Sequence, residues 1–360
     1  MKKKSIVLIC VMLCTLIVGI LIYSIWSRYT PQWHYDNLYV IRDFCLENNI
    51  IVSAGGIYRR TDDGLQKILV AGIAIPEEYV IWGAQIFQNE VFAIMASHKD
   101  DSIRDVYFTH ISPEGELISK TSVPWSNFAS EMFIYEKNGE LYAAYGQYDH
   151  VENAFIVQYI AVNTGKLGDF SFSIDHLMPD DGWGARWISN IAAVDNRVMV
   201  FGVSKECFVY YPDSEQLIFI EVDNFRTAFL DEYSQLRVLT ASTHINNLYL
   251  YDMQTNSLAK VWENPALRFS SIQPDVFIRD GIAYLVEISG RPSSSRTFLR
   301  IHAVNLATGE SSSTRRYNIH STQSYGMAFD LYEDTLYAFM MPLDEKFPTI
   351  FYILYRFTLP

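Results

Sequence analysis

One short pattern returns seven times along this chain: a polar turn followed at once by a run of aromatic and β-branched residues. The copies read "ENNIIVSAGG", "FQNEVFAIMAS", "EKNGELYAAYGQ", "VDNRVMVFGVS", "EYSQLRVLTAS", "RDGIAYLVEIS" and "YEDTLYAFMMP", about 40 to 58 residues apart. Val, Ile, Tyr and Phe fit the pleated, half-buried surface of a strand, while Asn, Asp and Gly suit the turns between strands. A period of this length marks a unit that cannot bury its apolar face alone and must stack on its neighbours. That requirement leaves few architectures open.

Each unit carries four such runs: strand A, a tight turn, B, a variable loop, C, a tight turn, D. In the third unit they are "EMFIYEK", "LYAAYGQ", "FIVQYIAV" and "GDFSFSI"; in the fifth, "TAFLDE", "LRVLTAS", "LYLYDM" and "LAKVWE". The stretch "LYLYDMQTNSLAKVW" reads as strand, five-residue turn, strand, and is the C–D hairpin of that fifth unit. Helical periodicity is almost absent after the first 30 or so residues. The expected fold is all-β, a seven-bladed β-propeller, because radial repetition leaves only short strand edges. The last unit stops one strand short at Pro360, so residues 32–36, "QWHYD", are expected to supply its D strand and close the ring.

The C–D turns resemble quinoprotein-type (PQQ-like or WD40-like) propeller repeats, which run Ala-x-Asp, Thr-Gly, Trp. Ala303, Thr308 and Gly309 carry the pattern in one unit, Ala161, Thr164 and Gly165 in another, and Asp252, Thr255 and Trp262 in a third. The resemblance covers these hairpins and implies the fold. The docking tryptophan stands clearly only at Trp262, and no quinone or other cofactor is carried over.

The chain opens with Lys2, Lys3 and Lys4, then runs without charge from Ser5 to Trp26. As a helix that run would be about 33 Å long, enough to cross a bilayer core. The expected organisation is a cytoplasmic basic tail (1–4), a signal-anchor helix (5–26), a linker (27–31) and a propeller (32–360). The positive-inside rule puts the N-terminus in the cytoplasm and the propeller outside. A cleaved signal peptide is the rival, but the apolar run is long and lacks a small-x-small site at its end.

Setting aside Lys2, Lys3, Lys4 and Arg28 leaves 24 basic residues against 41 acidic, a formal charge of −17 beyond the anchor. Such a surface disfavours nucleic acid and anionic lipid. Cys45 and Cys207 are the only cysteines there, too few for a disulfide framework, so an ordinary core must hold the domain. The absence of any N-x-[ST] sequon in this part points to a bacterial surface.

In a propeller the A–B and C–D turns share one face, and the B–C and D–A connections share the other. Here the first set is tight, whereas the second includes "SHKDDSIR", "QYDHVEN", "ISGRPSSSR", "PLDEKFPT" and "DHLMPDDGWGARW". Variable loops on a rigid scaffold are where binding is usually built, so this face is the expected working surface. Its richest element holds Asp180, Asp181, Trp183 and Arg186: the tryptophan could stack on a sugar or anchor a partner, and the arginine could bind a carboxylate. Trp187 reads instead as the start of a packed strand.

His98, Asp100, Asp101 and His150, on loops of the same face, are the further ligand-binding candidates. Asp100, Asp101 and Asp105 have oxygen ligands suited to calcium but no EF-hand spacing. His98, His150, His244 and His320 lack metal-site spacing, so no metal is expected. "RPSSSR" has no nucleophile elbow around it. The function expected is binding of a protein or envelope polysaccharide by a non-enzymatic surface propeller. The alternative is a carbohydrate-active hydrolase or lyase using carboxylates such as Asp149, Glu206 or Asp344 at the channel mouth, chemistry that depends on carboxylate separation.

Overall fold

The computed structural model describes residues 33–36, 41–45, 47–53, 56–61, 64–68, 79–99, 102–123, 132–137, 139–149, 154–173, 190–193, 199–203, 206–211, 214, 216–222, 225–241, 246–252, 254–264, 270–290, 297–319, 328–340 and 351–360. The expected anchor, residues 5–26, lies outside them. No helix among the described residues is long and apolar enough to cross a membrane.

β1 (Trp33–Asp36) comes first in the chain and is set apart from the six blades that follow it. Blade 1 is β2 (Ile41–Cys45), β3 (Ile50–Ser53), β4 (Gly56–Thr61) and β5 (Gly64–Lys67). Blade 2 is β6 (Tyr79–Phe87), β7 (Glu90–Lys99), β8 (Ser102–Ile111) and β9 (Leu117–Ser122). Blade 3 is β10 (Phe133–Lys137), β11 (Glu140–Asp149), β12 (Ala154–Ala161) and β13 (Leu167–Ser173). Blade 4 is β14 (Asn190–Ala193), β15 (Met199–Val203), β16 (Glu206–Tyr211) and β17 (Gln216–Glu221). Blade 5 is β18 (Phe225–Leu230), β19 (Leu236–Ala241), β20 (Asn246–Asp252) and β21 (Ser257–Asn264).

Blade 6 is β22 (Ser270–Arg279), β23 (Ile282–Gly290), β24 (Thr297–Asn305) and β25 (Ser311–Ser313), with β26 (Tyr317–Ile319) resuming the outer edge on β24. The last three strands are β27 (Ala328–Tyr332), β28 (Thr335–Met340) and β29 (Phe351–Thr358). Six blades are thus made of four consecutive strands, where the repeat predicts seven units. The seventh unit has three strands of its own, and β1 pairs antiparallel with β29 from Trp33↔Leu354 to Asp36↔Phe351 to complete a closing sheet.

The blades stack face to face through their apolar alternation. Ile50, Val52 and Ile57 of blade 1 pack on Ile81, Val91 and Met95 of blade 2. Leu239, Leu248 and Trp262 of blade 5 pack on Ala283, Leu285 and Val304 of blade 6. The closing sheet joins both ends: Phe329, Leu336 and Phe357 meet blade 6, and Ala328, Phe339 and Leu354 meet Phe44 and Ile51 of blade 1. Innermost strands would otherwise leave N–H groups bare at the sheet edge. Asp43 Oδ2 accepts the Ile86 N–H at 2.7 Å, and Gln85 Oε1 accepts the Ile134 N–H at 2.7 Å, each reaching from one blade to the next.

The Thr-Gly turns have a physical role here. Gly309 has φ +72°, and a Cβ on it would lie 2.2 Å from the Val261 carbonyl oxygen of blade 5; a Cβ on Gly165, at φ +67°, would lie 2.9 Å from the Thr121 hydroxyl oxygen of blade 2. In the fifth unit the left-handed residue is Asn256, φ 51°, which ends a four-residue connection rather than the expected five and accepts the Tyr251 hydroxyl at 2.8 Å. Gly309→Ala is therefore expected to cost about 3 kcal/mol, by left-handed strain and loss of the close blade contact. Gly281→Ala, also at φ +72° but with nothing within 4 Å, should cost only about 1 kcal/mol. Denaturant melts of the two variants measure the difference; equal losses would remove the blade contact from the account.

Candidate functional site

On the A–B side, neighbouring turns bond to one another. Asn48 donates to Asn89 between blades 1 and 2, Glu232 accepts the Gly281 N–H at 2.7 Å between blades 5 and 6, and Arg279 pairs with Asp334 at 2.7 Å. Asp231 is tied off further: its buried carboxylate accepts the Tyr233 and Gln235 N–H groups and the Arg237 guanidinium, at 2.7 to 2.9 Å. His110, stacked on Phe92 and bonded to Glu90 at 2.6 Å, fills the same side of blade 2. In the quoted fifth hairpin, Asp252 accepts the Gln254 N–H and the Thr255 hydroxyl. Those hydrogen bonds, the Thr255 hydroxyl first, hold its carboxyl below the ordinary range. These groups shape turns.

The opposite side is the one on which the site residues are expected. Asp180, Asp181, Trp183, Arg186, Asp100, Asp101 and His150 lie outside the described residues, as do Trp187, His244, His320 and Asp344. His98 does not lie in a loop, as its flanking polar residues suggest. It is in β7 opposite Ile103, and Lys99 pairs with Ser102, so the β7–β8 pairing reaches both sides of the pair Asp100 and Asp101, which lie outside the described residues. Asp149 likewise pairs with Ala154 at the end of the β11–β12 register. The strand pairing simply continues past the blade body, a property that polarity does not reveal. Asp105 is an exposed strand residue of β8. Glu206 opens β16 opposite Val203.

A polar cluster that the sequence reading missed lies between blades 5 and 6, toward this same side. Glu287 and His302 are 2% and 5% exposed, and their Oε2 and Nε2 atoms stand 2.5 Å apart. From blade 5, Asn264 brings its Nδ2 to 3.4 Å from the same His302 nitrogen, and the Trp262 ring lies 5.7 Å from the imidazole. Asn246 is opposite Asn264 in the β20–β21 register and is fully buried, yet neither atom of its amide has a partner among the described residues. Arg300, directly across from Glu287 in β24, has a buried Nε–H that is also unpartnered.

Burial acts to raise the Glu287 pKa. The His302 hydrogen bond, with the charges of His302, Arg300 and Arg316, outweighs it and holds the carboxyl below the usual range. The one available signal was alternation: Glu287 keeps step with the buried Leu285, so a carboxylate had to stand on an inward face. Cys45 and Cys207 are free thiols whose pKa values burial raises. Among the described residues no group of three or more His, Cys, Asp or Glu is placed to hold a metal.

The fold defines the class: an all-β propeller of four-stranded blades. No protein-family model matches the chain, and no curated protein matches it in sequence. Solved structures do. A protein from Lactobacillus plantarum aligns with TM-score 0.55 at 13% identity, over 91% of this chain and 97% of that one. An oligogalacturonate lyase in complex with manganese aligns with TM-score 0.52 at 10% identity, over 91% and 90%. A Synechocystis apocarotenoid oxygenase mutant aligns with TM-score 0.51 at 9% identity, over 79% and 72%. At such identities the likeness establishes the fold alone.

Proposed function

We propose that this chain is a membrane-anchored, extracytoplasmic, seven-bladed β-propeller that binds a protein or an envelope polysaccharide through its B–C/D–A face. The seventh blade is the closing sheet, and residues 5–26 are the single-pass anchor of a bacterial surface protein. The observation that carries the reading is the buried polar cluster toward that side, where Asn246 and Arg300 keep polar atoms with no partner among the described residues, while tight turns on the other side bond to one another. Unspent polar capacity beside variable loops is what a binding surface needs.

Trp183 is proposed as an aromatic anchor of this face, with Asp180, Asp181, Arg186, His98, Asp100, Asp101 and His150 as further ligand-binding residues. The test is capture of envelope polysaccharides and surface proteins by the full chain in detergent, compared with Trp183→Ala. Loss of an aromatic anchor is expected to weaken binding by about 2 kcal/mol, some thirtyfold. Unchanged binding would remove Trp183 from the site. Shortening of a captured glycan during the assay would instead favour the carbohydrate-active alternative.

A further inference from the structure

We propose that the groove between blades 5 and 6 is an anion-binding site in which Arg300 and Arg316 hold an oxyanion, carboxylate or phosphate, of an acidic envelope glycan. The inference rests on the binding role proposed for this face and specifies its ligand chemistry.

Charge distribution is the first support. In a domain of strongly negative formal charge, residues 291–316 carry Arg291, Arg296, Arg300, Arg315 and Arg316 against a single acidic residue, Glu310. Arg291 and Arg296 lie outside the described residues. A local excess of arginine on an acidic protein is the arrangement that attracts an anion against the field of the whole molecule.

The geometry supports it independently. The outer edge of blade 6 breaks between β25 and β26, and the three residues of the break include Arg315 and Arg316, both exposed. Thr314 holds that break in place, its N–H donating to the Ile301 carbonyl and its hydroxyl accepting the Ile301 N–H. Across the sheet stands Arg300, with its Nε–H buried and lacking an acceptor among the described residues. Glu287 is the carboxylate nearest in register, but it is bonded to His302 at 2.5 Å.

On the blade-5 side, Asn246 shares its face with Leu248 and Trp262, which pack against blade 6, so its amide, buried and unpartnered among the described residues, lies at the floor of the same seam. A buried N–H without an acceptor is costly. A guanidinium fork and an amide donor together match a planar carboxylate or a phosphate.

The test uses the full chain in neutral detergent, with calorimetric titration of three probes: oligogalacturonate for carboxylates, a glycerol-phosphate oligomer for phosphates, and neutral dextran. One acidic probe is expected to bind and dextran is not, and which acidic probe binds identifies the oxyanion. Arg316→Gln, a surface change that should leave the melting temperature unaltered, is expected to weaken binding about tenfold, with Arg316→Lys between it and the wild type. Failure of both acidic probes, or an Arg316→Gln variant that binds as the wild type does, overturns the site. Loss of probe binding in Trp183→Ala but not in Arg316→Gln would overturn the groove and leave the loop-face reading standing. Loss in Arg316→Gln but not in Trp183→Ala would uphold the groove and remove Trp183.

Discussion

Deleting residues 31–37 is expected to destabilise the whole domain, not only its N-terminal end. The deletion removes β1, whose four residues pair with β29, and so costs about 4 kcal/mol at about 1 kcal/mol per backbone hydrogen bond. For a domain of this size that corresponds to a fall of about 8 °C in melting temperature. It also leaves β29 as a bare edge, open to pairing with other chains. Because β29 and its neighbours pack on both blade 1 and blade 6, the loss should propagate through the ring as one cooperative transition. Deleting residues 27–31 is the control and should change little. Equal melting temperatures for the 31–37 deletion and the full chain would contradict closure by β1.

Glu287→Ala is expected to cost about 3 kcal/mol, because it leaves the buried His302 nitrogen without the carboxylate it bonds. The double variant Glu287→Leu with His302→Leu should recover much of that loss, since an apolar pair there continues the Leu285 and Val304 cluster. The pH dependence has a definite sign. Glu287 has a depressed pKa in the folded state, so its contribution is fully present above the unfolded carboxyl pKa of about 4.3. That contribution disappears as pH falls through the lower folded value. The stability gap between wild type and Glu287→Gln should therefore shrink as pH falls below about 4. A gap that widened in acid would overturn this assignment of charge.

What could be read from the chain followed how local each signal is. The C–D hairpins were legible, down to the Thr-Gly pair, because a left-handed turn leaves its mark on the residues that form it. The turn role of Asp252 was legible for the same reason. The reach of β7 and β8 past His98 was not, because "HKDDS" is polar enough for a loop while its pairing depends on register with a partner strand. The Glu287, His302, Asn264 and Asn246 cluster was hidden more deeply. Its members come from two blades, and only ring stacking brings residues 246, 264, 287 and 302 into one groove. Gly309 is a middle case: the turn was visible, but the Val261 carbonyl that demands a glycine belongs to the neighbouring blade.

The central claim is that ligand is bound on the B–C/D–A side and not on the side of the tight turns. It is tested most directly by one binding series on the full chain, using whichever acidic glycan probe the wild type retains. Trp183→Ala and Arg316→Gln alter the first side; Arg279→Gln and Lys166→Gln alter exposed positions on the second. The account predicts that the first pair loses binding about tenfold or more while the second pair matches the wild type. Binding lost in Arg279→Gln or Lys166→Gln, and kept in Trp183→Ala and Arg316→Gln, would contradict it.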